Sequence, residues 1–301
     1  MLKPWIVAVK PGSLPKIILP LLAGFSVGVW MAEAFSSLGF ILLLLYGLSL
    51  QIFIVLMNDV ADADADCYHM KHYPHLIDER MIPTGQISKR AMFTAGCIAA
   101  LLCLATAVLY AILLGRLFAP VAALVSVLIL TLYSFGPYRF NYRGMGELFE
   151  ALGVGIVLPL SALYFTSGKL VPDTLAPFIL LFLLALASAL SSGLKHMPSD
   201  KKTGKRTYAV LYGLNSAKNL IVALSFFSLL IAILFSIHFF TLIGALFLVL
   251  IPGIHFYIVV RYKKRADIED LKSLGKFKYH LHRLIFTITT GVALTFLTLS
   301  I

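Results

Sequence analysis

The chain has 301 residues, of which 60% are hydrophobic and only 13% are charged, against about 25% charged in an average soluble protein. A mean hydropathy of +0.93 and repeated long apolar runs argue against a soluble protein and predict a polytopic helical membrane protein. The formal net charge of +11 comes from basic residues in the loops between these runs. Positive-inside loops and anionic lipid headgroups of the bilayer account for it, so no nucleic-acid partner is predicted.

Apolar runs of about 20 residues, the length of a helix that crosses a bilayer, predict an all-α protein with about nine transmembrane helices. They form one integral membrane domain over residues 1–301. The apolar run over 220–260 is too long for one span, so we divide it at 236–238. The predicted spans are 15–34, 38–60, 91–113, 117–136, 147–167, 174–194, 216–237, 240–260 and 281–301.

Basic residues concentrate in the N-terminal segment and in the loops after the second, fourth, sixth and eighth predicted spans. The intervening loops are short and carry few charges. By the positive-inside rule, this pattern predicts that the N-terminus and the basic loops are cytoplasmic and that the C-terminus is outside.

The first polar motif follows the second predicted span directly and places four carboxylates within residues 58–66. Charged side chains at membrane depth are costly and usually functional. Asp59, Asp62 and Asp66 share one face of a helix with Asn58 beside them, whereas Asp64 points off that face. Clustered oxygen ligands suit Mg²⁺, which often bridges carboxylates to substrate phosphates. We therefore predict a metal–phosphate site and a solvated Asp64.

The loop after this motif carries four residues that raise the alternative of a zinc site: Cys67, His69, His72 and His75. Their spacing is not that of a structural zinc site, and Pro74 breaks any shared helical face. A solvated cytoplasmic loop is therefore the favoured interpretation. Further on, Arg80 precedes a turn that includes Pro83 and Gly85.

Two further clusters fall on the same predicted side of the membrane. The segment 133–147 contains three tyrosines, Arg139 and Arg143, and an interfacial aromatic belt with snorkelling arginines is one interpretation of it. The segment 192–207 contains a lone carboxylate, Asp200, and cations around Gly204. Such cations clamp phosphates in many proteins, although an ordinary positive-inside loop is the alternative.

These motifs resemble those of the UbiA superfamily of intramembrane prenyltransferases, over essentially the whole chain. Residues 58–66 fit the first aspartate motif of that family, NDxxDxxxD. Segments 80–85 and 10–15 resemble its neighbouring motifs, with Met81 and Lys10 as departures. The resemblance implies nine transmembrane helices capped by cytoplasmic loops, in the cell membrane of a bacterium or archaeon. The segment 133–147 is most similar to the 1,4-dihydroxy-2-naphthoate polyprenyltransferases of menaquinone synthesis.

The resemblance implies a transferase of alkyl groups (EC 2.5.1 type) that moves a prenyl chain from a prenyl diphosphate to an aromatic acceptor such as 1,4-dihydroxy-2-naphthoate. In those enzymes the chain replaces a carboxylate. Mg²⁺ would assist ionisation, and Tyr133 would stabilise the allyl cation by a cation–π contact. The implied metal ligands are Asn58, Asp59, Asp62, Asp66 and Asp200, and the implied diphosphate-binding residues are Arg80, Arg139, Lys195, His196, Lys205 and Arg206.

The second motif departs from the family pattern, because Ser192, Gly193 and His196 stand where that family has Asn or Asp. Imidazole is a poor Mg²⁺ ligand, so the sequence leaves open whether one or two ions bind. Two other functions also remain open. One is a terpene cyclase of the same superfamily that acts on the prenyl diphosphate alone, and the other is a cation-coupled transporter with the acidic cluster as its ion site.

Overall fold

The computed structural model describes residues 2–76, 78–172 and 175–301, and over these ranges it contains helices and no strands. The α-helices are α1 (Leu2–Ala8), α2 (Pro15–Ala32), α3 (Ser37–Ala61), α4 (Ala63–His72), α5 (Lys89–Leu114), α6 (Ala119–Ser134), α7 (Gly146–Leu152), α8 (Leu158–Ser167), α9 (Ala176–Gly193), α10 (Met197–Thr203), α11 (Tyr208–Tyr212), α12 (Leu214–His238), α13 (Leu242–Ala245), α14 (Ile251–Lys263) and α15 (Leu271–Leu299). The all-α prediction is confirmed.

Within the described residues, eight helical stretches are long and apolar enough to cross a membrane. A ninth apolar helix, α6, is shorter. Three of the eight are composite. A π-helical turn at Gly153–Val157 joins α7 to α8, another at Leu246–Leu250 joins α13 to α14, and a 3-10 turn at Leu194–His196 joins α9 to α10. Each turn lies just before a proline, Pro159, Pro252 or Pro198, which has no N–H to donate to the helix. The prediction of about nine spans agrees with this arrangement.

Most predicted boundaries lie within a few residues of those in the structure, and α12 ends at the predicted break, at His238. The predicted start of the sixth span, residue 174, lies outside the described residues. The last span was predicted to begin at 281, which is wrong, because α15 begins at Leu271. Asp270 caps it by accepting a hydrogen bond from the Ser273 N–H at 3.0 Å. Its first turns bury Leu274 and Phe277 beneath basic residues, an amphipathic pattern less apolar than a full span.

The membrane helices form a closed ring in chain order. Each span packs against the next one along the chain, and α15 returns to pack against α2. Helix α2 also packs closely on α8. At that contact Gly24 lies so near the backbone of Pro159 that a Cβ atom there would stand 2.0 Å from the Pro159 oxygen. A residue without a side chain is therefore required where these two helices touch.

The predicted loop over 61–90 is only partly a loop, because residues 63–72 form α4. Helix α3 ends at Ala61, and Asp62 lies between the two helices with a φ of −93° and a ψ of 3°. The helical path nevertheless continues, since the Asp62 N–H donates to the Asn58 carbonyl and the Asp66 N–H to the Asp62 carbonyl. The single continuous helix expected for the first motif is thus broken by one residue, and the motif's side chains keep a shared face.

Candidate active site

A cavity of about 600 Å³ lies at the end of the ring where α3, α6 and α9 end and where α2, α7 and α15 begin. One part of its wall is polar and is formed by both aspartate motifs. Another part is apolar and includes Leu50, Ile54, Leu130, Val154 and Leu158. A charged region that opens into an apolar region suits a ligand with an anionic head and a hydrocarbon chain.

Asp62 and Asp66 of the first motif line the polar part of this cavity beside Asn58, whereas Asp59 is not among the lining residues. Asp59 and Asp62 are buried, and Asp66 is partly buried. Asp64 is exposed, in agreement with its predicted solvation. Burying three carboxylates together requires compensating positive charge. The elements around the motif supply that charge.

Three cations from distant parts of the chain pair with these carboxylates. The Lys10 ammonium lies 2.5 Å from Asp59, and Arg80 lies 3.2 Å from Asp59 and 3.5 Å from Asp66. The Lys205 ammonium lies 2.6 Å from Asp62. Among the described residues, no three His, Cys, Asp or Glu side chains are grouped closely enough to hold a metal ion. A metal ion that binds at this motif would displace the side chains of Lys10, Arg80 or Lys205 from the carboxylates.

The donor set of the first motif fits Mg²⁺. The Asn58 side-chain oxygen is buried without a hydrogen-bond partner, which is unusual for a buried polar atom. Burial raises the pKa of Asp66 to about 6, and the nearby Arg80 only partly offsets this effect. The Asn58 oxygen has no hydrogen-bond partner, and the charge of Asp66 is only partly neutralised. Both features favour the binding of a hard cation such as Mg²⁺, which prefers oxygen ligands. The ligand roles of these residues and of Asp59 and Asp62 stay predictions.

The second motif does not fit Mg²⁺ in the same way. Asp200 is buried and lines the cavity, but it is the lone carboxylate there. The Nδ1 atom of His196 lies 3.2 Å from Nδ1 of His69, and the Ser199 hydroxyl lies 2.8 Å from the same His69 atom. Burial and the charges of Lys195 and Arg80 lower the pKa of His69 to about 4. A neutral imidazole contact thus joins α4 to this motif.

The remaining predicted site residues divide into two groups. Tyr133, Lys195 and Lys205 line the cavity, and Lys195 also pairs with Asp78 at 3.2 Å. Arg206 is exposed and is not among the lining residues. Arg139 is also exposed, and its guanidinium lies 4.0 Å from the centre of the Tyr142 ring. The structure therefore does not bring Arg139 and Arg206 to the cavity wall, and their diphosphate-binding roles stay predictions.

The cavity also contains charged residues that were not predicted as site residues: Lys10, Lys16, Asp78, Glu79, Glu147, Glu150 and Lys278. The signal for Lys10 was its place in the segment 10–15, which resembles the family's N-terminal motif at the start of the first membrane helix. Glu147 accepts a hydrogen bond from the Tyr208 N–H at 2.8 Å, which indicates a structural role. Lys278 carried no sequence signal, because it stands in a basic loop of the predicted topology and in α15 of the structure.

The fold and the cavity define an integral membrane protein with a charged ligand site at one end of a helical ring. The UbiA prenyltransferase family matches residues 17–282. The chain belongs to this family, and the predicted resemblance is confirmed. Members of the family transfer prenyl groups, so the predicted enzyme class is confirmed as well.

Two curated relatives are named 1,4-dihydroxy-2-naphthoate octaprenyltransferase. The Bacillus subtilis enzyme is 32% identical over 100 residues, a match that spans 33% of this chain and 32% of the relative. The Mycobacterium tuberculosis enzyme is 26% identical over 212 residues, covering 69% of this chain and 70% of the relative. The chain thus spans about a third of one relative's length and about two thirds of the other's.

Solved structures of UbiA homologs share the fold. A homolog from Archaeoglobus fulgidus, bound to DMAPP and Mg²⁺, aligns over 93% of this chain and 97% of its own with a TM-score of 0.68 and 22% identity. The apo structure of a homolog from Aeropyrum pernix K1 aligns over 94% and 97% with a TM-score of 0.71 and 14% identity. At these identities the likeness establishes the fold alone.

Proposed function

We propose that this enzyme transfers a prenyl chain from a prenyl diphosphate to an aromatic acceptor of the 1,4-dihydroxy-2-naphthoate type. One observation carries the proposal: a single cavity combines buried carboxylates and cations at one part of its wall with an apolar surface at another. The names of the two curated relatives support the acceptor class. The Archaeoglobus fulgidus structure, bound to DMAPP and Mg²⁺, supports a metal and a prenyl diphosphate as ligands.

The diphosphate would bind where the cations of the cavity already meet the carboxylates. Arg80, Lys195 and Lys205 each hold a carboxylate through an ion pair. An arriving diphosphate offers these cations a more highly charged partner. Mg²⁺ bound at Asn58, Asp59, Asp62 and Asp66 would supply further neutralisation of the leaving group. Asp200 would face this ligand without forming a complete second metal site.

Ionisation would break the bond between the allylic carbon and the diphosphate oxygen, and the electron pair would leave with the diphosphate. Tyr133 lines the cavity, and its ring would stabilise the allyl cation by a cation–π contact. The acceptor ring would then form the new carbon–carbon bond. Loss of the acceptor's carboxylate as CO₂ would return an electron pair to the ring and restore its aromaticity.

The remaining predictions concern the whole chain. Residues 1–301 would form one membrane-embedded enzyme domain in the cell membrane of a bacterium or archaeon. The cavity and both aspartate motifs would face the cytoplasm, where water-soluble diphosphate product can leave. Loop charge supports this orientation, because the basic residues Lys195, Lys205 and Arg80 lie at the cavity end of the ring.

Product analysis tests the proposal. Purified enzyme in detergent receives prenyl diphosphates of several lengths, with and without 1,4-dihydroxy-2-naphthoate or 4-hydroxybenzoate, and products are identified by mass spectrometry. We expect a prenylated, decarboxylated naphthalene product and diphosphate release that both require the naphthoate. A cyclised hydrocarbon formed without an acceptor would instead establish a terpene cyclase. Diphosphate release in detergent, without a gradient, would exclude transport as the sole function.

Substitution of His196 by Asp tests the metal content of the second motif. A carboxylate at position 196 would stand four residues before Asp200 and restore one of the three positions at which the motif has lost oxygen ligands. We expect the Mg²⁺ concentration for half-maximal diphosphate release to fall several-fold. His196→Gln is the matched control, because it removes the contact with His69 and adds no charge. Equal Mg²⁺ dependence in all three proteins would contradict the prediction, whereas loss of activity in both variants would favour a dedicated role for the imidazole.

A further inference from the structure

Lys278 is a cation inside the cavity whose charge the diphosphate site does not explain. It lies on α15 and lines the cavity wall. None of the ion pairs within the described ranges involves it. The charges that act on it most strongly are the repelling ammonium groups of Lys195 and Lys16 and the more weakly acting carboxylate of Asp78. An ammonium group in such a place is poised for an anionic ligand.

Lys16 approaches the same region from α2, the helix on which α15 packs. Its ammonium donates a hydrogen bond to the Ser192 hydroxyl at 3.1 Å, a neutral partner. Glu150 lines the cavity nearby, and the charge of Lys16 acts on it. Lys16 and Lys278 together therefore carry more positive charge than Glu150 offsets.

Lys278 adjoins the second aspartate motif, since Lys195 repels it and its own charge acts on His196, but the carboxylates of the two motifs do not neutralise it. The carboxylates that act most strongly on Lys205 are Asp62 and Asp200. The carboxylates of the first motif, by contrast, are not among the charged groups that act most strongly on Lys278. The cations of the cavity thus extend from the aspartate motifs through Lys195 to Lys278 on α15 and Lys16 on α2. Val154, which follows Glu150 by four residues, adds apolar wall near Lys16.

We propose that Lys16 and Lys278 form the subsite that binds the carboxylate of the aromatic acceptor, with Glu150 accepting a hydrogen bond from an acceptor hydroxyl. This inference rests on the proposed function for the identity of the acceptor class. A small aromatic acid matches the chemistry of the subsite, since it carries one carboxylate, one or two hydroxyls and an apolar ring. The subsite would select acceptors that carry a carboxylate over those that lack one.

The experiment compares 1,4-dihydroxy-2-naphthoate with 1,4-dihydroxynaphthalene, which lacks only the carboxylate, in wild type and Lys278→Met. We expect the variant to raise the KM for the naphthoate about tenfold to hundredfold, the effect of losing a charged hydrogen-bond partner. The KM values for the diol and for the prenyl diphosphate should not change. Lys16→Met should act in the same direction, and Lys278→Arg, which keeps the charge, should retain most of the selectivity.

Lys276→Met is the matched control, because Lys276 lies on the same helix and is exposed. Equal changes in the KM for both acceptors would overturn the proposal, and so would a change confined to the prenyl diphosphate. Calorimetry with 1-hydroxy-2-naphthoate and 1-naphthol, without prenyl diphosphate, tests the subsite independently of turnover. Tighter binding of the acid that Lys278→Met abolishes would support the subsite even if the proposed reaction failed. Equal binding of the two ligands would overturn it even if the reaction occurred.

Discussion

Replacing Asp62 by Asn is expected to reduce diphosphate release by at least about a hundredfold, the usual loss when a preorganised charged group is removed from such a site. Asn keeps the size of the side chain and one oxygen toward Lys205, which lies 2.6 Å from Asp62. It removes the negative charge that pairs with the Lys205 ammonium and that would bind a metal ion. Asp59→Asn should behave similarly, because Asp59 is equally buried. Diphosphate release from membranes with matched enzyme amounts is the measurement.

The chain supplies its own control for this experiment. Asp64 belongs to the same acidic run but is exposed, so Asp64→Asn should retain wild-type release. Chelation of divalent ions should stop the wild-type reaction, and added Mg²⁺ should restore it. Full activity of both Asp59→Asn and Asp62→Asn would remove the basis for the metal assignment, and so would a loss that Asp64→Asn shares.

Replacing Gly24 by Ala is expected to destabilise the protein strongly. A Cβ atom at position 24 would stand 2.0 Å from the Pro159 oxygen and 2.7 Å from its carbonyl carbon. The contact involves backbone on both sides, so no side-chain rotation relieves it. Overpacking of this kind costs about 3 kcal/mol, which corresponds to a decrease of about 5–10 °C in the unfolding midpoint. Thermal unfolding of the purified protein in detergent measures the effect.

Gly275→Ala is the matched control for this measurement of thermal unfolding. Gly275 lies in α15, and a Cβ atom there would meet no atom within 4 Å. Alanine is the better helix former by up to about 1 kcal/mol, so the unfolding midpoint should stay the same or rise. A midpoint for Gly24→Ala that equals wild type would show that α2 and α8 do not approach as closely as the structure describes.

The apolar runs allowed most of the fold to be predicted. Hydrophobic length is a local property of the chain, so the spans and the break at 236–238 could be located from sequence. The start of α15 could not, because its first turns are amphipathic and bury Leu274 and Phe277 only against neighbouring helices. For the same reason the sequence predicts a loop where α4 lies, although His69 in this helix is buried.

The candidate site was predictable in its oxygen ligands and less so in its cations. Residues 58–66 are adjacent in sequence, so their clustering needs only a helix. Arg139 and Arg206 stood in basic loops beside the motifs, as Lys195 and Lys205 did, yet both are exposed. The spacing of basic residues in the sequence does not predict which side chains of a loop point into the cavity and which face solvent.

Local sequence patterns were enough to predict a helical membrane protein with an oxygen-rich motif at the end of one span. Which charged side chains contact one another depends on the tertiary structure. Lys10 reaches Asp59 across 49 residues, and Lys205 reaches Asp62 across 143. His196 contacts His69 across 127 residues and holds the altered second motif against α4. These contacts depend on how the helices close into a ring, because packing between elements fixes side-chain distances that local hydrophobic patterns do not encode.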